Sequence, residues 1–326
     1  MKGMELARAY YEQYGRDMIL SKFPTYAERV ACGLAGEGSE CFGYDDAIST
    51  DHDFGPSFCI WLTAEDYQAV GAIMQAEYNK LPGDFLGYPP RDMTGEAEGR
   101  VGVICIDDFF KRQIGRADAE FTLREWLMVP ETRFATVTNG EVFSDPLGKF
   151  TAIREKLLEY YPEDIRRKKI AARAAIMGQA GQYNYPRSMK RGETVAAMYA
   201  LNEFITHAIS MVYLINRRYM PYYKWMHHGV FELPFLGKKI GELTGMLASN
   251  GCNQYAWETF NYDSGDALNS GDNNVLIIEQ ICRLIAEELQ LEGLSRTGSS
   301  FMVDQGNSVM QSISDPQIKS MHLMVG

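Results

Sequence analysis

The character of the sequence changes near residue 150, and this change limits the folds that the chain can adopt. Before it, short apolar runs alternate with turns rich in glycine and proline, which predicts short strands and helices. After it, long segments with apolar residues at helical spacing follow one another with short breaks, which predicts a helical bundle. We therefore expect an α+β chain of two domains, residues 1–150 and residues 151–326. The length of 326 residues also favours two domains.

Three apolar runs predict the strands of the first domain: RVACGLAG (29–36), FGPSFCIWLT (54–63) and RVGVICIDDFF (100–110). Thr63 precedes a helical segment with acidic residues in its first turn, so we expect its side chain to cap that helix. This order of elements predicts a small mixed sheet with helices packed against it. The Asn-Gly pair in VTNGEVF (137–143) predicts a hairpin.

Composition narrows the class of protein. The formal net charge of −11 argues against a general affinity for nucleic acid, and no strong nucleic-acid signal is present. The six cysteines form no C-x-x-C pair, which predicts buried, reduced thiols. The N-terminal residues lack the apolar core of a signal peptide, and no uninterrupted apolar stretch approaches the length of a membrane span. We expect a soluble, cytoplasmic protein.

The stretch GEGSECFGYDDAISTDHDFGP (36–56) carries the strongest chemical signal. On a strand, residues two apart point to the same face, so Asp51 and Asp53 can bind one Mg²⁺ or share two. The simpler alternative for this pair is a solvated acidic turn. Before the pair, Gly38 allows a phosphate to approach the backbone, and Ser39 is expected to cap the next helix or to donate its hydroxyl.

The ordered pattern in GSECFGYDDAISTDHDF resembles the signature of the DNA-polymerase-β-like nucleotidyltransferase superfamily. Over roughly residues 1–230 the chain also resembles the DUF4037 family, a branch related to aminoglycoside nucleotidyltransferases. Besides the acidic stretch, the segments that carry this resemblance are IDDFF, WLMVPE, NGEVFSD, RGETVAAM and LINRRYMPYYKW.

The resemblance implies a reaction, a cofactor and a set of site residues. The reaction is the transfer of a nucleoside monophosphate from an NTP, with ATP the expected donor, to a hydroxyl of a small molecule, with release of pyrophosphate. Two Mg²⁺ ions would assist it. Asp51 and Asp53 would bind the metal, and Gly38 and Ser39 would hold the triphosphate. Lys224 would contact the phosphates from the helical domain.

Further candidates for nucleotide contacts are Asn216, Arg187 and Arg191, which lie in or near the same basic and aromatic segments. For the aromatic residues around Lys224, packing in the core is the alternative. The basic run IRRKKIAAR (165–173) is predicted to be a solvated helix face.

The sequence departs from the superfamily pattern at one position. A third carboxylate is expected on the strand RVGVICIDDFF, but Gly102 occupies its place in the V-x-V pattern. Either Asp107 or Asp108 could replace it. On the predicted strand only Asp108 shares the facing of position 102, so Asp108 is the candidate for this catalytic role. Two alternatives stay open. The protein could be a nucleotide-binding regulatory module with a decayed site, or a nucleotidyltransferase that modifies proteins.

Overall fold

The computed structural model describes residues 1–49, 54–92, 99–258, 260 and 268–326. The chain separates into two compact units. Unit 1 consists of Met1–Glu120 and Val129–Tyr160, and unit 2 consists of Phe121–Met128 and Tyr161–Gly326. Helices and a small mixed sheet are both present, which confirms the predicted α+β class.

The sheet belongs to unit 1 and has four strands: β1 (Ala31–Leu34), β2 (Cys59–Leu62), β3 (Gly102–Cys105) and β4 (Glu141–Ser144). Their order across the sheet is β3-β2-β1-β4. β1 runs antiparallel to both β2 and β4, whereas β2 and β3 run parallel. β1 and β2 lie within the runs predicted as strands, and every residue of both is buried.

Two composite helices of unit 1 each consist of two α-helices joined end to end by a π-helical turn. The turn is Tyr11–Gly15 in the first and Tyr67–Gly71 in the second. Thr63 caps the second of these composite helices as predicted, because its Oγ1 accepts a hydrogen bond of 3.2 Å from the N–H of Asp66. The helices up to residue 160, of which α7 belongs to unit 2, are α1 (Gly3–Tyr10), α2 (Arg16–Lys22), α3 (Ser39–Phe42), α4 (Ala64–Asp66), α5 (Ala72–Tyr78), α6 (Ile106–Ile114), α7 (Leu123–Met128), α8 (Glu131–Thr138) and α9 (Lys149–Leu158).

Aromatic side chains fill the core of unit 1 on both faces of the sheet. On one face the ring of Phe58 lies 6.0 Å from that of Tyr10 and 5.1 Å from that of Tyr78, in edge-to-face contacts. On the other face Trp61 stacks on Phe150 at 3.9 Å, and both side chains are fully buried. Large buried rings contribute most to such a core. These rings hold the strands in place, and the candidate site residues of unit 1 lie shortly before or after those strands in the sequence.

β3 is shorter than predicted, which changes the position of Asp108. The strand ends at Cys105, the N-cap of α6. Asp107 and Asp108 lie in the first turn of that helix, where their charge is favourable beside free backbone N–H groups. The strand predicted over residues 100–110 is therefore wrong beyond Cys105. Consequently, strand alternation does not set the direction of the Asp108 side chain.

The hairpin predicted at Asn139-Gly140 is also wrong. The residues before it belong to α8, which ends at Thr138, and the residues after it form β4, which pairs with β1. Asn139 instead binds the backbone of Gly36 in both directions: its Nδ2 donates to the carbonyl at 2.8 Å, and its Oδ1 accepts from the N–H at 2.9 Å. The side chain of Asn139 thus fixes the loop that follows β1.

Unit 2 is helical throughout the part of it that the structure describes. After α7, its helices are α10 (Glu163–Met177), α11 (Tyr185–Lys190), α12 (Thr194–Ile215), α13 (Tyr223–Val230), α14 (Gly237–Ser249), α15 (Tyr255–Glu258), α16 (Asn273–Leu291), α17 (Met302–Gln311) and α18 (Pro316–Lys319). A π-helical segment, Gly178–Asn184, joins α10 to α11. α10 packs against α12 and α17, and α12 also packs against α14. Their apolar faces form the core of the unit.

α12 is the one helix of the described residues that is long and apolar enough to cross a membrane. Half of its most apolar window is buried inside the structure. Ala208, Met211 and Leu214 are all inaccessible to solvent. The core helix of a soluble protein has this composition and burial, and α12 packs as such a helix does.

The basic run 165–173 is not a solvated face, and this prediction is wrong. Arg166 is 1% exposed in the middle of unit 2. Its Nε donates to the carbonyl of Leu214 at 2.8 Å, and its Nη2 forms an ion pair of 2.6 Å with Glu292. The carbonyls at the end of a helix lack partners within that helix. The guanidinium of Arg166 therefore completes the C-terminus of α12.

Lys168 and Lys169 are buried on the same helix. Lys168 Nζ donates to the carbonyls of His322 and Leu323 at 3.0 and 2.9 Å, and a third bond joins it to the carbonyl of Val325. Lys169 Nζ lies 4.9 Å from the centre of the Tyr161 ring, a cation–π contact. Each buried ammonium thus has electron-rich partners that offset part of its lost hydration.

Candidate functional site

The turn between β1 and α3 contains the first two predicted site residues. Gly38 is the N-cap of α3 and has a φ of 136°, a conformation that side chains with a Cβ rarely adopt. A Cβ at this position would lie 2.6 Å from the carboxylate of Glu40. Ser39 is the first residue of the helix, and no side-chain cap bond is present at its start. The expected capping by Ser39 is therefore wrong, and its hydroxyl is half-buried at the turn.

A buried ion pair between Glu40 and Arg91 holds this turn in place. Glu40 and Arg91 have side chains only 7% and 5% exposed, and Arg91 Nη1 lies 2.9 Å from Glu40 Oε1. The same nitrogen donates to Ser57 Oγ at 3.3 Å. Ser57 stands just before β2, so one guanidinium connects the start of α3 to the approach to β2. No local pattern predicts this ion pair, because Glu40 and Arg91 are far apart along the chain.

Asp51 and Asp53 lie outside the described residues, within the gap 50–53. Two other acidic residues of the same stretch have local partners. Asp45 is buried and accepts a bond of 2.8 Å from the N–H of Gly3. Asp46 Oδ1 accepts from the N–H groups of Ile48 and Ser49 at 2.9 and 3.0 Å. These backbone bonds lower the pKa of Asp46.

A cleft on unit 1 contains the third predicted catalytic residue, Asp108. We call it the α6 cleft, because one helix, α6, supplies much of its wall. It has a volume of about 200 Å³. Apolar groups, among them Ala35, Ile104 and Phe109, form part of the lining. Charged side chains complete it: Glu37 follows β1, Arg100 precedes β3, and Asp108 and Arg112 belong to α6.

Glu37 is the fixed acid of the α6 cleft. Its Oε1 accepts a bond of 3.0 Å from Gln113 Nε2, and its Oε2 lies 3.4 Å from Arg100 Nε. Arg133 approaches the same carboxylate at 3.9 Å and donates to Gln113 Oε1 at 2.8 Å. Gln113 is itself buried. The charge of Glu37 is therefore compensated within the protein, and its direction is set by several partners.

Asp108 and Arg112 are the remaining charged groups of the α6 cleft. They are four residues apart on α6, so they lie on one face of the helix. Within the described ranges, neither side chain has a hydrogen bond or an ion pair. The neighbouring Asp107, by contrast, pairs with Lys111 at 3.7 Å. Asp108 and Arg112 are thus the two charges that the α6 cleft offers to a ligand.

The structure gives a physical reason for the departure at Gly102. This residue has a φ of 89°, and a Cβ built on it would lie 2.7 Å from Gln75 Oε1. Gln75 is held in place, because its Oε1 accepts a bond of 2.7 Å from the N–H of Val103 and its Nε2 donates to Asn79 Oδ1 at 2.6 Å. The backbone conformation at position 102 therefore disfavours any residue with a side chain, and a Cβ there would also require the Gln75 carboxamide to move.

The other predicted nucleotide contacts belong to unit 2. Lys224 is exposed in the first turn of α13, and Arg191 is exposed just after α11. Arg187 Nη1 donates to the hydroxyl of Tyr183 at 2.7 Å. The Asn216 amide is fully engaged: Nδ2 donates to the carbonyls of Val212 and Phe235, and Oδ1 accepts from the N–H of Phe235. Arg187 is exposed as well, so Lys224 and Arg191 differ from it in having no side-chain hydrogen bond among the described residues.

The cysteines and the metal-binding side chains define what the site can do chemically. Burial raises the pKa of the Cys41 and Cys59 thiols, the latter to about 12, so neither is a ready nucleophile. In the part of the chain that the structure describes, no three or more His, Cys, Asp or Glu side chains come together as a metal site. The two residues predicted to bind Mg²⁺, Asp51 and Asp53, lie outside that part of the chain.

Comparison with known proteins gives one positive result. Residues 126–226 match the model of a family described as a domain of unknown function, DUF4037. No curated protein and no solved structure matches the chain. The predicted resemblance to the DUF4037 family is confirmed over these residues, and the description of the family names no activity.

Proposed function

We propose that this chain, which belongs to the DUF4037 family over residues 126–226, is a Mg²⁺-dependent nucleotidyltransferase. It would move a nucleoside monophosphate from an NTP, with ATP the expected donor, to a hydroxyl of a small-molecule acceptor and release pyrophosphate. This activity would be cytoplasmic. The polymerase-β-like arrangement of the N-terminal domain, followed by a helical bundle, is part of the same proposal.

The observation that carries the proposal is the turn at Gly38-Ser39 together with its place in the sheet. The turn follows β1 and begins α3, and β2 then returns antiparallel to β1. The D-x-D pattern of Asp51 and Asp53 stands between α3 and β2 in the sequence. A turn lined by glycine lets phosphate oxygens approach backbone N–H groups. A phosphate-binding turn and a metal-binding pair would thus be connected by a short helix.

In this proposal, Asp51 and Asp53 hold the metal. Magnesium prefers carboxylate oxygens together with water and phosphate oxygens, so two carboxylates are a sufficient protein contribution. The metal would neutralise the charge of the leaving pyrophosphate. Asp108 would accept the proton of the acceptor hydroxyl, because its carboxylate has no partner within the described ranges and is exposed to the α6 cleft.

Unit 2 would contribute cations for the phosphates. Lys224 and Arg191 are the stronger candidates, since both side chains are exposed. Arg187 is a weaker one because its guanidinium already binds Tyr183. Asn216 would serve by holding the segment before α13 in place, since its amide has three backbone partners.

Isothermal titration of the protein with ATP and Mg²⁺ tests the first step. The wild type should bind, and the variant D51N/D53N should lose Mg²⁺-dependent binding at least tenfold. Asp84→Asn is the control, because Asp84 is an exposed acid of unit 1 outside the proposed site. No binding by the wild type, or equal binding by D51N/D53N, would refute the proposal.

The conformation of Gly102 favours a second candidate, a nucleotide-binding regulatory module with a decayed catalytic site. Position 102 cannot supply the third carboxylate of the superfamily pattern. Pyrophosphate release across a panel of NTPs and hydroxyl acceptors separates the two candidates, since a regulatory module binds ATP without turnover. A protein acceptor would be detected by mass spectrometry of co-expressed proteins as a nucleotide adduct.

A further inference from the structure

We infer that the α6 cleft binds a small organic acid, a carboxylate or a phosphate monoester, through Arg112. This inference rests on the proposed function, in which the acid would be the hydroxyl-bearing acceptor. It adds the chemical class of the acceptor and the residue that recognises it.

The first argument is the local charge. The whole chain has a formal net charge of −11. The charged groups that line the α6 cleft, by contrast, balance: Arg100 and Arg112 stand against Glu37 and Asp108. Behind the lining, Arg133 approaches Glu37 at 3.9 Å. The cleft is therefore less negative than the chain as a whole, which favours an anionic ligand here over most of the surface.

The second argument is that only one of these cations is available. Arg100 is 3.4 Å from Glu37, and Arg133 binds Gln113 and approaches Glu37. Arg112 has no partner among the described residues. A guanidinium presents a planar fork of donors that matches two oxygens of a carboxylate or a phosphate. Arg112 is therefore the group that would bind the acid, and the Glu37 network keeps the opposite wall in place.

The third argument is the position of Asp108 relative to Arg112. They lie one helical turn apart and both line the cleft. A ligand whose acidic group binds Arg112 would place a nearby hydroxyl at Asp108, which would take its proton as the oxygen bonds to the α-phosphorus of the NTP. The bond from that phosphorus to pyrophosphate would break in the same reaction. The apolar lining, including Ile104 and Phe109, would contact the carbon skeleton of the ligand.

The test measures binding without nucleotide or metal, by ligand-observed NMR. The probes are lactate, malate, citrate, glycerol 3-phosphate and phenyl phosphate, with glycerol and phenol as uncharged counterparts. We expect at least one acid to bind and the uncharged probes not to bind. Arg112→Gln should weaken binding of that acid at least tenfold, since a charge-assisted pair is lost.

Lys111→Gln is the matched control. Lys111 is next to Arg112 in the sequence and has the same charge, but it pairs with Asp107 and does not line the cleft. It should leave binding within twofold. Asp108→Asn should keep or tighten binding of the acid, because it removes a like charge beside the ligand, while it abolishes any transfer reaction.

The inference is overturned if no acid of the panel binds, or if Arg112→Gln and Lys111→Gln weaken binding equally. Because these titrations omit ATP and Mg²⁺, they fail independently of the proposed activity. Acid binding without ATP binding would refute the nucleotidyltransferase and retain the cleft, and ATP binding without acid binding would do the reverse.

Discussion

Two charge-dense segments, the acidic stretch 36–56 and the basic run 165–173, behave alike in the structure although the sequence suggested opposite roles. In the acidic stretch, Glu40 is buried against Arg91. In the basic run, Arg166 is buried against Glu292 and helix-end carbonyls. Both segments thus use charge to hold the backbone in place. Charge density in a sequence does not reveal which charges face water.

The two segments differ in the partners that their buried charges have. The acids pair with side-chain cations, Glu40 with Arg91, Glu37 with Arg100 and Arg133, and Asp45 with Lys2, and Asp45 and Asp46 also accept bonds from backbone N–H groups. The cations of α10 are stabilised mainly by backbone carbonyls, at the end of α12 and in residues 322–325. Carbonyls carry only partial charges, so the basic helix depends more on the number of its bonds than on ion pairs.

The largest expected effect concerns Arg166. Replacement by Met removes the guanidinium that satisfies Leu214 and pairs with Glu292. The Glu292 side chain is 26% exposed and loses only part of its stabilisation, but the carbonyls of Leu214 and Ile215 lose a buried charged donor, and together these losses should cost about 3–4 kcal/mol. We expect a loss of this size in the free energy of unfolding, measured by urea denaturation. Arg283→Met, at an exposed position of α16, should change it by less than about 0.5 kcal/mol. Equal effects would show that burial of Arg166 contributes nothing.

The next effect concerns the Glu40–Arg91 pair. Glu40→Leu leaves the Arg91 guanidinium buried without its carboxylate and should cost about 3 kcal/mol of unfolding free energy. The double variant E40L/R91M should recover most of this loss, because well-packed apolar groups often replace a buried ion pair without cost. Denaturation of both variants gives the comparison. A double variant as unstable as the single one would contradict the account.

A smaller effect should appear in the pH dependence contributed by Lys168. Burial, with a contribution from Arg173, lowers the pKa of Lys168 to about 8. Because the ordinary lysine value is higher, the unfolded chain binds more protons than the folded one above pH 8. The unfolding free energy contributed by this residue should therefore rise between about pH 8 and 10. Urea denaturation of the wild type and Lys168→Met at pH 7.5 and 9.5 checks this, and a constant difference would contradict it.

The smallest effect concerns Asp46, which belongs to the acidic stretch 36–56. Its pKa is lowered by bonds from the N–H groups of Ile48 and Ser49. A lowered pKa contributes stability above the ordinary aspartate value, and this contribution is lost as the pH falls through the folded value. Asp46→Ala should therefore destabilise slightly at pH 7 and not at about pH 2. Thermal unfolding at both pH values measures it, and a loss that persists in acid would point to another cause.

The elements that the sequence predicted best are those set by local patterns. The strands at β1 and β2 follow from continuous apolar runs, and the cap at Thr63 follows from acids in the next turn. Predictions from local patterns were wrong where a contact between residues far apart in the sequence determines the structure. Asn139-Gly140 carries a hairpin signal, but the strand that follows it pairs with β1, and Asn139 binds Gly36. The burial of the cations of α10 depends likewise on residues far along the chain.

The candidate site, too, could be predicted only where it depends on local sequence. The turn at Gly38 is a local feature, and its positive φ agrees with the expected role of glycine there. The α6 cleft was not predictable, because Glu37, Arg100 and Arg112 are brought together by the sheet. Asp108 was selected by strand alternation, which does not apply at its position in α6. Asp108 lines the α6 cleft because α6 begins at Ile106, and the sequence pattern did not predict this helix start.

The conformation at Gly102 has a consequence for the mutational paths open to this protein. A single change to glutamate would force a side chain into a positive-φ position and against Gln75, whose carboxamide also holds the N–H of Val103. A smaller residue at position 75 would remove the clash but also that hydrogen bond. Each change alone is expected to be unfavourable, so an acidic side chain at position 102 would require a second substitution at position 75. Positions 75 and 102 are thus coupled, and the residue at one limits what the other can accept.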